Sequence, residues 1–376
     1  MYKSVDLFYE PLEILDRLSD GDKVEMTAEE LAFLCGMIKD RKPKKIVEIG
    51  VAAGRTTAVI LNCISSIGLK TKMSSIDLST TYYRDRDKEA GYLAKECKTI
   101  LREELDHTLL LGKYAVECLE AIGDNIDFLI LDTVHRLPGE ILDFLACFPF
   151  LKQGATVVLH DVILNHLGDK TDAYATKVLF DSAVGMKFMN LGNDGSLIGI
   201  GAFVITEDTR RYIEDVFSAL TITWKYIPRD AELAMYREFL EKYYTPSRLK
   251  WFDMAIEFNR ETLKKRSKGF VKICKWITSI KAKRIYIYGC GNFGKHFYNL
   301  FEQCGMELGG YIISDGQTKG EDDRNVYYLS EVSLDQGEMI LVGVNLSLQD
   351  EICDILQKNG IKDYILPDEG IYPYLY

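Results

Sequence analysis

The stretch Lys44-Lys45-Ile46-Val47-Glu48-Ile49-Gly50-Val51-Ala52-Ala53-Gly54-Arg55 runs from two cations through a short β-rich apolar segment to a turn of small residues. A helical pattern follows it, which is how a parallel α/β sheet opens. The same order recurs in Lys283-Arg284-Ile285-Tyr286-Ile287-Tyr288-Gly289-Cys290-Gly291-Asn292-Phe293-Gly294. Two such openings, about 240 residues apart, predict two Rossmann-like units in a chain of 376 residues.

Working outward from the first opening, Thr27-Ala28-Glu29-Glu30 reads as a capping box for a helix ending near Lys39. Strands are expected at 45–49, Met73–Asp77, Thr108–Leu111, Phe128–Asp132 and Thr156–His160. A helix near 172–184 comes next. Two late apolar runs, Lys187–Leu191 and Ile198–Thr206, flank a Gly-Asn-Asp-Gly turn, which predicts an antiparallel hairpin after five parallel strands. Residues 210–280 read as helical and aromatic-rich, with Pro246 as a break. The second unit should hold strands at 284–288, 309–313, 326–329, 339–343 and 363–366. The expected divisions are an N-terminal helical segment at 1–26, a first α/β domain at 27–209, a helical connector at 210–280 and a smaller α/β domain at 281–376.

Composition narrows the function classes. Hydrophobic residues make up 47% and charged residues 27%, which fits a folded chain rather than a disordered one. No run approaches the roughly 20 apolar residues of a membrane span. The net charge of −11 argues against a nucleic-acid-binding surface. Nine scattered cysteines, an odd number with no CxxC pair, point to reduced thiols. Acids in the first residues, where a secretory leader would be apolar, complete the expectation of a cytoplasmic protein.

The first turn has the spacing E-x-G-x-x-x-G. Its small residues let a cofactor lie against the backbone at the carboxyl edge of the sheet. Asp77 ends the next strand, where a carboxylate can accept both hydroxyls of a ribose, and Gly112 follows the third strand, where an adenine could rest. With EIGVAAGRTT, SSIDLS, DFLILDTVH and LKQGATVVLHDV in that order, residues 25–208 resemble the class I S-adenosylmethionine-dependent methyltransferases. The small-molecule O-methyltransferase branch is the nearest. The resemblance implies an α/β Rossmann-like sheet with an antiparallel last strand and S-adenosylmethionine as cofactor. It places Gly50, Val51, Ala52 and Gly54 around the methionine part, with Glu48 beneath the turn and Arg55 and Thr56 near the methionine carboxylate. Asp77 would bind the ribose and Gly112 and Asp132 would complete the cofactor site. Relatives often carry a polar Asp or Ser after the glycine, whereas Lys113-Tyr114 follow Gly112 here, so Tyr114 becomes a candidate to stack on adenine.

Asp132, His135, His160 and Asp161 are the candidate catalytic residues, since all lie at the carboxyl ends of two adjacent strands. Methyl transfer to oxygen needs a deprotonated, aligned acceptor, and histidine titrates in the useful range. Each residue also has an ordinary explanation: Asp132 could cap the next segment, and His160 could be a satisfied strand-end residue. Metal-dependent relatives hold magnesium with the acids at 132 and 161. Val134 and Val162 stand where a further Asp or Asn is common, and His160 is a softer donor than magnesium prefers, so the balance is against a metal. His107 and His166 are expected at the surface, with Asn165 and His166 as outlying contributors.

The second turn, Gly289, Gly291, Asn292, Phe293 and Gly294, has G-x-G-x-x-G spacing between a strand and a helix, with Asp315 as the acid after the next strand. This unit resembles the compact domain fused to bacterial sugar-modifying enzymes. That resemblance implies a nucleotide or nucleotide sugar as ligand and a sugar, glycan or related small molecule as methyl acceptor. Between Thr262 and Leu300 lie ten cations and no acid, with Phe270, Ile273, Cys274, Ile277 and Ile280 at helical spacing. A basic helix packing the two domains together, with its lysines solvated, is the simplest reading; a membrane surface or anionic polymer is the other. The rivals to a methyltransferase are a nucleotide-dependent sugar oxidoreductase or isomerase using the second turn, and a non-catalytic binding protein with two nucleotide folds. The sequence leaves room for a homo-oligomer.

Overall fold

A computed structural model describes residues 2–20, 25–102, 104–166, 171–192, 195–319, 325–367 and 371–372. The chain divides into two compact units, Met1–Arg260 and Glu261–Tyr376.

In the first unit the strands are β1 (Lys45–Ile49), β2 (Lys72–Asp77), β3 (Thr81–Tyr82), β4 (Asp85–Glu89), β5 (His107–Leu111), β6 (Ile126–Leu131), β7 (Leu151–Leu159), β8 (Met186–Phe188) and β9 (Gly201–Val204). Seven form one sheet in the order β5-β2-β1-β6-β7-β9-β8. The first five run parallel, and β9 runs antiparallel to both β7 and β8. The expected parallel sheet with a reversed last strand is therefore present. The hairpin strands are shorter than their apolar runs, and Asn193 and Asp194 of the connecting turn lie outside the described residues. The small antiparallel pair β3–β4 has no sequence signal, because Asp85-Arg86-Asp87-Lys88-Glu89 shows neither β-branched nor apolar alternation.

Strand alternation sends side chains to two cores. Val47, Leu129, Leu131, Val157 and Leu159 enter one; Ile46, Phe128, Ile130 and Val158 enter the other. The second core is covered by α1 (Ala28–Arg41), α2 (Arg55–Ser66), α3 (Tyr92–Leu101) and the 3-10 turn Glu10–Arg17. The Thr27 capping box is formed: its Oγ1 accepts from the Glu30 N–H at 3.2 Å, and Glu30 Oε2 accepts from the Thr27 N–H at 2.7 Å. The first core is covered by α4 (Ala115–Ile122), α5 (Gly139–Cys147), α6 (Ala175–Ser182), α8 (Ile213–Ala219), which follows the short α7 (Glu207–Arg211), and α9 (Asp230–Glu241).

The segment expected as a connector has two affiliations. Phe217, Trp224, Tyr236, Phe239, Leu240, Tyr244 and Phe252 are buried in the first unit's core. The unit boundary falls within α10 (Pro246–Ser279), a helix that opens on its proline, where the missing N–H costs no helical bond. Ile273 and Ile277, near its end, are buried in the second unit's core, while Phe270 is 60% exposed. The packing register expected of the basic stretch thus holds for the two isoleucines and not for Phe270.

The second unit carries β10 (Arg284–Tyr288), β11 (Leu308–Ile313), β12 (Val326–Tyr328), β13 (Glu338–Val342) and β14 (Tyr364–Ile365), all parallel in the order β12-β11-β10-β13-β14, with α11 (Asn292–Gln303) and α12 (Gln349–Lys358). It is a small Rossmann-like sheet. All nine cysteines are free thiols. Among the described residues no helix is long and apolar enough to cross a membrane.

Candidate functional site

The first turn leaves β1 with Gly50 at φ +93° and reaches α2 through Gly54 at φ +85°, left-handed conformations that glycine adopts without penalty. A Cβ on Gly50 would stand 1.7 Å from the carbonyl oxygen of Asp132, so the close approach of β1 and β6 also requires glycine there. Asp77 locks the turn from β2. Its Oδ2 accepts from the Val51 and Ala52 N–H groups at 2.9 and 3.0 Å, and its Oδ1 accepts from Ser79 N–H at 2.7 Å. A carboxylate offers about four acceptor sites, so capacity remains for a ribose hydroxyl.

Gly50, Val51, Ala52, Asp77 and Asp132 line one side of a cleft of about 290 Å³. Tyr114 lines it as well, together with Thr81 and Tyr83 of the β3–β4 hairpin, which the sequence did not bring forward. The remaining sequence-derived cofactor residues do not line the cleft. Glu48 is buried beneath the turn, accepting from Thr57 Oγ1 at 2.8 Å; burial pushes its carboxyl up to about 7, against the hydrogen bonds from Ser75 and Thr57. Arg55 is buried and donates to the Met26 carbonyl at 2.9 Å, and Thr56 is buried beside it. Gly54 packs against Gly91, and Gly112 faces Thr80.

The four catalytic candidates converge as the strand order requires. His160 Nδ1 lies 3.0 Å from Asp132 Oδ1, and His135 Nε2 lies 3.1 Å from Asp161 Oδ2 and 3.5 Å from Asp132 Oδ1. His135 and Asp161 hold positive φ values of +55° and +59°, uncommon for residues with a side chain. Two further acids complete the cluster. Glu30, the acid of the capping box, reaches within 3.6 Å of His160 Nε2, and Glu140 Oε1 lies 3.2 Å from His135 Nδ1 and accepts from the His135 N–H. The sequence marks Glu30 only as a cap. Glu140 follows a Leu-Pro-Gly turn and carries no signal. Asp132 is the one catalytic candidate that also lines the cleft.

Charge explains the protonation of the cluster. Burial opposes a charged His160, but Asp132 and then Glu30 and Asp161 outweigh it and hold the ring well above the usual histidine range. Burial likewise opposes a charged His135, and Glu140, Asp132 and Asp161 raise it. Asp132 is lowered despite its burial by the His160 charge, whereas burial leaves Asp161 raised. One donor atom each from Asp132, His135 and His160 lies within 4.8 Å of the others, near enough for one ion. Two imidazoles among three donors form a set softer than magnesium favours, and the rings are already engaged by carboxylates, so the residues do not fit that ion. His107, expected at the surface, is half-buried and 3.0 Å from Ser75 Oγ; burial lowers its pKa to about 4.

In the second unit, Gly289 at φ +100° and Gly294 serve packing. A Cβ on Gly294 would stand 1.8 Å from the Gly289 oxygen, while a Cβ on Gly291 would meet open space. Asn292 and Phe293 begin α11, and Asp315 accepts from Ser330 N–H at 3.3 Å.

The solved structures to which the chain is similar are distant. An O-methyltransferase from Bacillus cereus in complex with SAH is 13% identical at a TM-score of 0.38, covering 52% of this chain and 91% of its own. The O-methyltransferase TomG from Streptomyces achromogenes, involved in tomaymycin synthesis and solved with SAM, is 16% identical at a TM-score of 0.38, covering 52% of this chain and 90% of its own. A search of curated proteins finds no match. Residues 47–162, which run from β1 through the turn and both strand ends that carry the candidate residues, match the family model described as a methyltransferase domain.

Proposed function

We propose that the first unit is an S-adenosylmethionine-dependent methyltransferase that methylates a hydroxyl oxygen of a small molecule, with a sugar or glycan as the acceptor class. The observation that carries this reading is one cleft bordered by the Asp77-locked glycine turn and by Asp132 of the histidine–carboxylate cluster, within the stretch that matches a methyltransferase domain. S-adenosylmethionine, when bound, supplies a methyl group on a positively charged sulfur. The residues fit it: a turn free of side chains at its closest point, a carboxylate with spare acceptor capacity and a cleft beside both.

The chain's own part is to place the acceptor and take its proton. His135, whose ring is the more accessible of the two, takes the proton in its neutral form on Nε2, the nitrogen 3.1 Å from Asp161. His160, held as a cation between Asp132 and Glu30, fixes the Asp132 carboxylate at the rim of the cleft. The sugar assignment rests on the resemblance of the second unit, whose turn we assign to a nucleotide or nucleotide sugar.

Thermal shifts of the full chain with S-adenosylmethionine, S-adenosylhomocysteine, NAD and UDP-sugars test this, since a ligand that binds only the folded state raises its stability. The methyl donor and its product should raise the melting temperature. Stabilisation by NAD alone would favour the oxidoreductase; no stabilisation by any of the four would favour a binding protein of another kind.

A further inference from the structure

The second half of α10 carries a charge pattern that its packing does not use. Ile273 and Ile277 are buried in the second unit's core. At about 100° per residue, Lys264, Lys268, Lys272 and Lys275 fall within an arc of about 80° on the opposite side of the helix, and all four are exposed. They form a straight stripe about 16 Å long, with Val271, 50% exposed, at its edge. Neutralisation is missing where it would be easiest. Lys268 and Lys275 form no ion pair among the described residues, and Lys264 reaches Glu261 at 3.6 Å. Lys264 and Lys268, like Lys268 and Lys272, are like charges at i,i+4, a spacing that destabilises a helix. The first half of the same helix pairs its charges instead: Arg260 with Asp230, and Asp253 with Arg237 at 2.9 Å. In a chain with 57 acids, ten cations without an acid between Thr262 and Leu300 amount to a segregation of charge.

We propose that this face of α10 docks the protein on an anionic lipid surface. Charge complementarity supplies the attraction, since lysines clustered on one helix face each gain from headgroup charges within a Debye length. The apolar face is already buried in the protein, so the helix adheres to the headgroups without inserting, and the attraction is electrostatic. The composition of the stripe selects a lipid surface over a nucleic acid. Lysine is a compact, hydrated charge without a fixed donor geometry, suited to a plane of mobile headgroups. Recognition of phosphates one by one favours the arginine fork, and none of the four is arginine. Nor does the stripe carry an aromatic ring for bases to stack on; Phe270 lies about 160° around the helix from Lys268. With a net charge of −11, the rest of the protein is repelled by such a surface, so the stripe also sets which side approaches.

Co-sedimentation of the full chain with vesicles tests this. The protein should bind phosphatidylcholine vesicles containing about one third phosphatidylglycerol and leave pure phosphatidylcholine vesicles unbound. Binding should disappear between about 0.1 M and 1 M salt, as the Debye length shrinks from about 10 Å to 3 Å. The variant Lys264→Gln/Lys268→Gln/Lys275→Gln keeps good helix formers at exposed positions, so it should melt like the wild type and bind the anionic vesicles at least about tenfold more weakly. Wild-type binding to both vesicle types alike, or none to either, would overturn the proposal. So would full-strength binding by the triple variant. Retention on heparin or DNA without binding to the anionic vesicles would overturn it in favour of an anionic polymer.

Discussion

At the residue scale, Asp77 and His135 divide the labour, and their variants should fail differently. Asp77 holds two backbone N–H groups of the turn and keeps room for a ribose hydroxyl, so Asp77→Ala loses acceptor capacity on both counts. Its affinity for S-adenosylhomocysteine should fall at least about tenfold. His135 lies outside the cleft lining, so His135→Ala should leave that affinity intact while turnover of an identified acceptor falls by about two orders of magnitude, the scale of a lost general base. Normal turnover in His135→Ala would remove it as the base. Gly50→Val makes a poorer probe than spacing alone suggests, because its side chain meets the Asp132 backbone before any cofactor. The sequence shows Asp77, Asp132, His135, His160 and Asp161 because each terminates or follows a strand with a clear pattern. Glu30 and Glu140 stay hidden because one meets His160 across most of the sheet and the other meets His135 through a left-handed residue, neither of which local pattern encodes.

At the scale of elements, the joint between α5 and α9 is a hydrogen bond from Tyr236 to a buried acid. Burial pushes the Asp143 carboxyl up to about 7, the Tyr236 bond resisting only in part. The folded form thus keeps its proton where the unfolded chain, with an ordinary aspartate near 4, has lost it. The folded protein binds more protons between those values, so stability is fully present below about pH 4 and declines as pH rises through about 7. Glu48, also raised to about 7, adds a slope of the same sign. Melting temperatures of ligand-free protein from pH 5 to 8 should fall with rising pH. Asp143→Asn, which cannot ionise, should flatten part of that fall. An unchanged slope would mean that Asp143 is ionised throughout. Strand positions and the reversed late strand are legible from the sequence because buried strands declare themselves as apolar runs. The β3–β4 hairpin is not, since its residues are charged and its contribution to the cleft comes from position alone.

At the scale of the whole molecule, the placement of residues 210–260 decides what a minimal methyl-donor-binding unit must contain. Composition alone makes this stretch a connector, because aromatic helices beyond a complete sheet pattern have no obvious partner. Its side chains instead fill the core on one face of the sheet: Phe217, Leu220, Trp224, Phe239, Leu240 and Phe252 are buried with residues of β6 and β7. Burying each such side chain is worth about 1.5–3 kcal/mol, so together they match or exceed the roughly 5–15 kcal/mol by which a domain is stable. Tyr226 and Tyr236 add a second dependence, since they line the cleft itself. A fragment ending at residue 210 should therefore lack a cooperative thermal transition and bind no S-adenosylhomocysteine, although it keeps every sheet strand and the glycine turn. A fragment ending at residue 260, the unit boundary, should melt cooperatively and retain binding. Circular dichroism melts and calorimetry on the two fragments check this, and full-strength binding by the shorter one would show that the helices after the sheet are dispensable to both the core and the site.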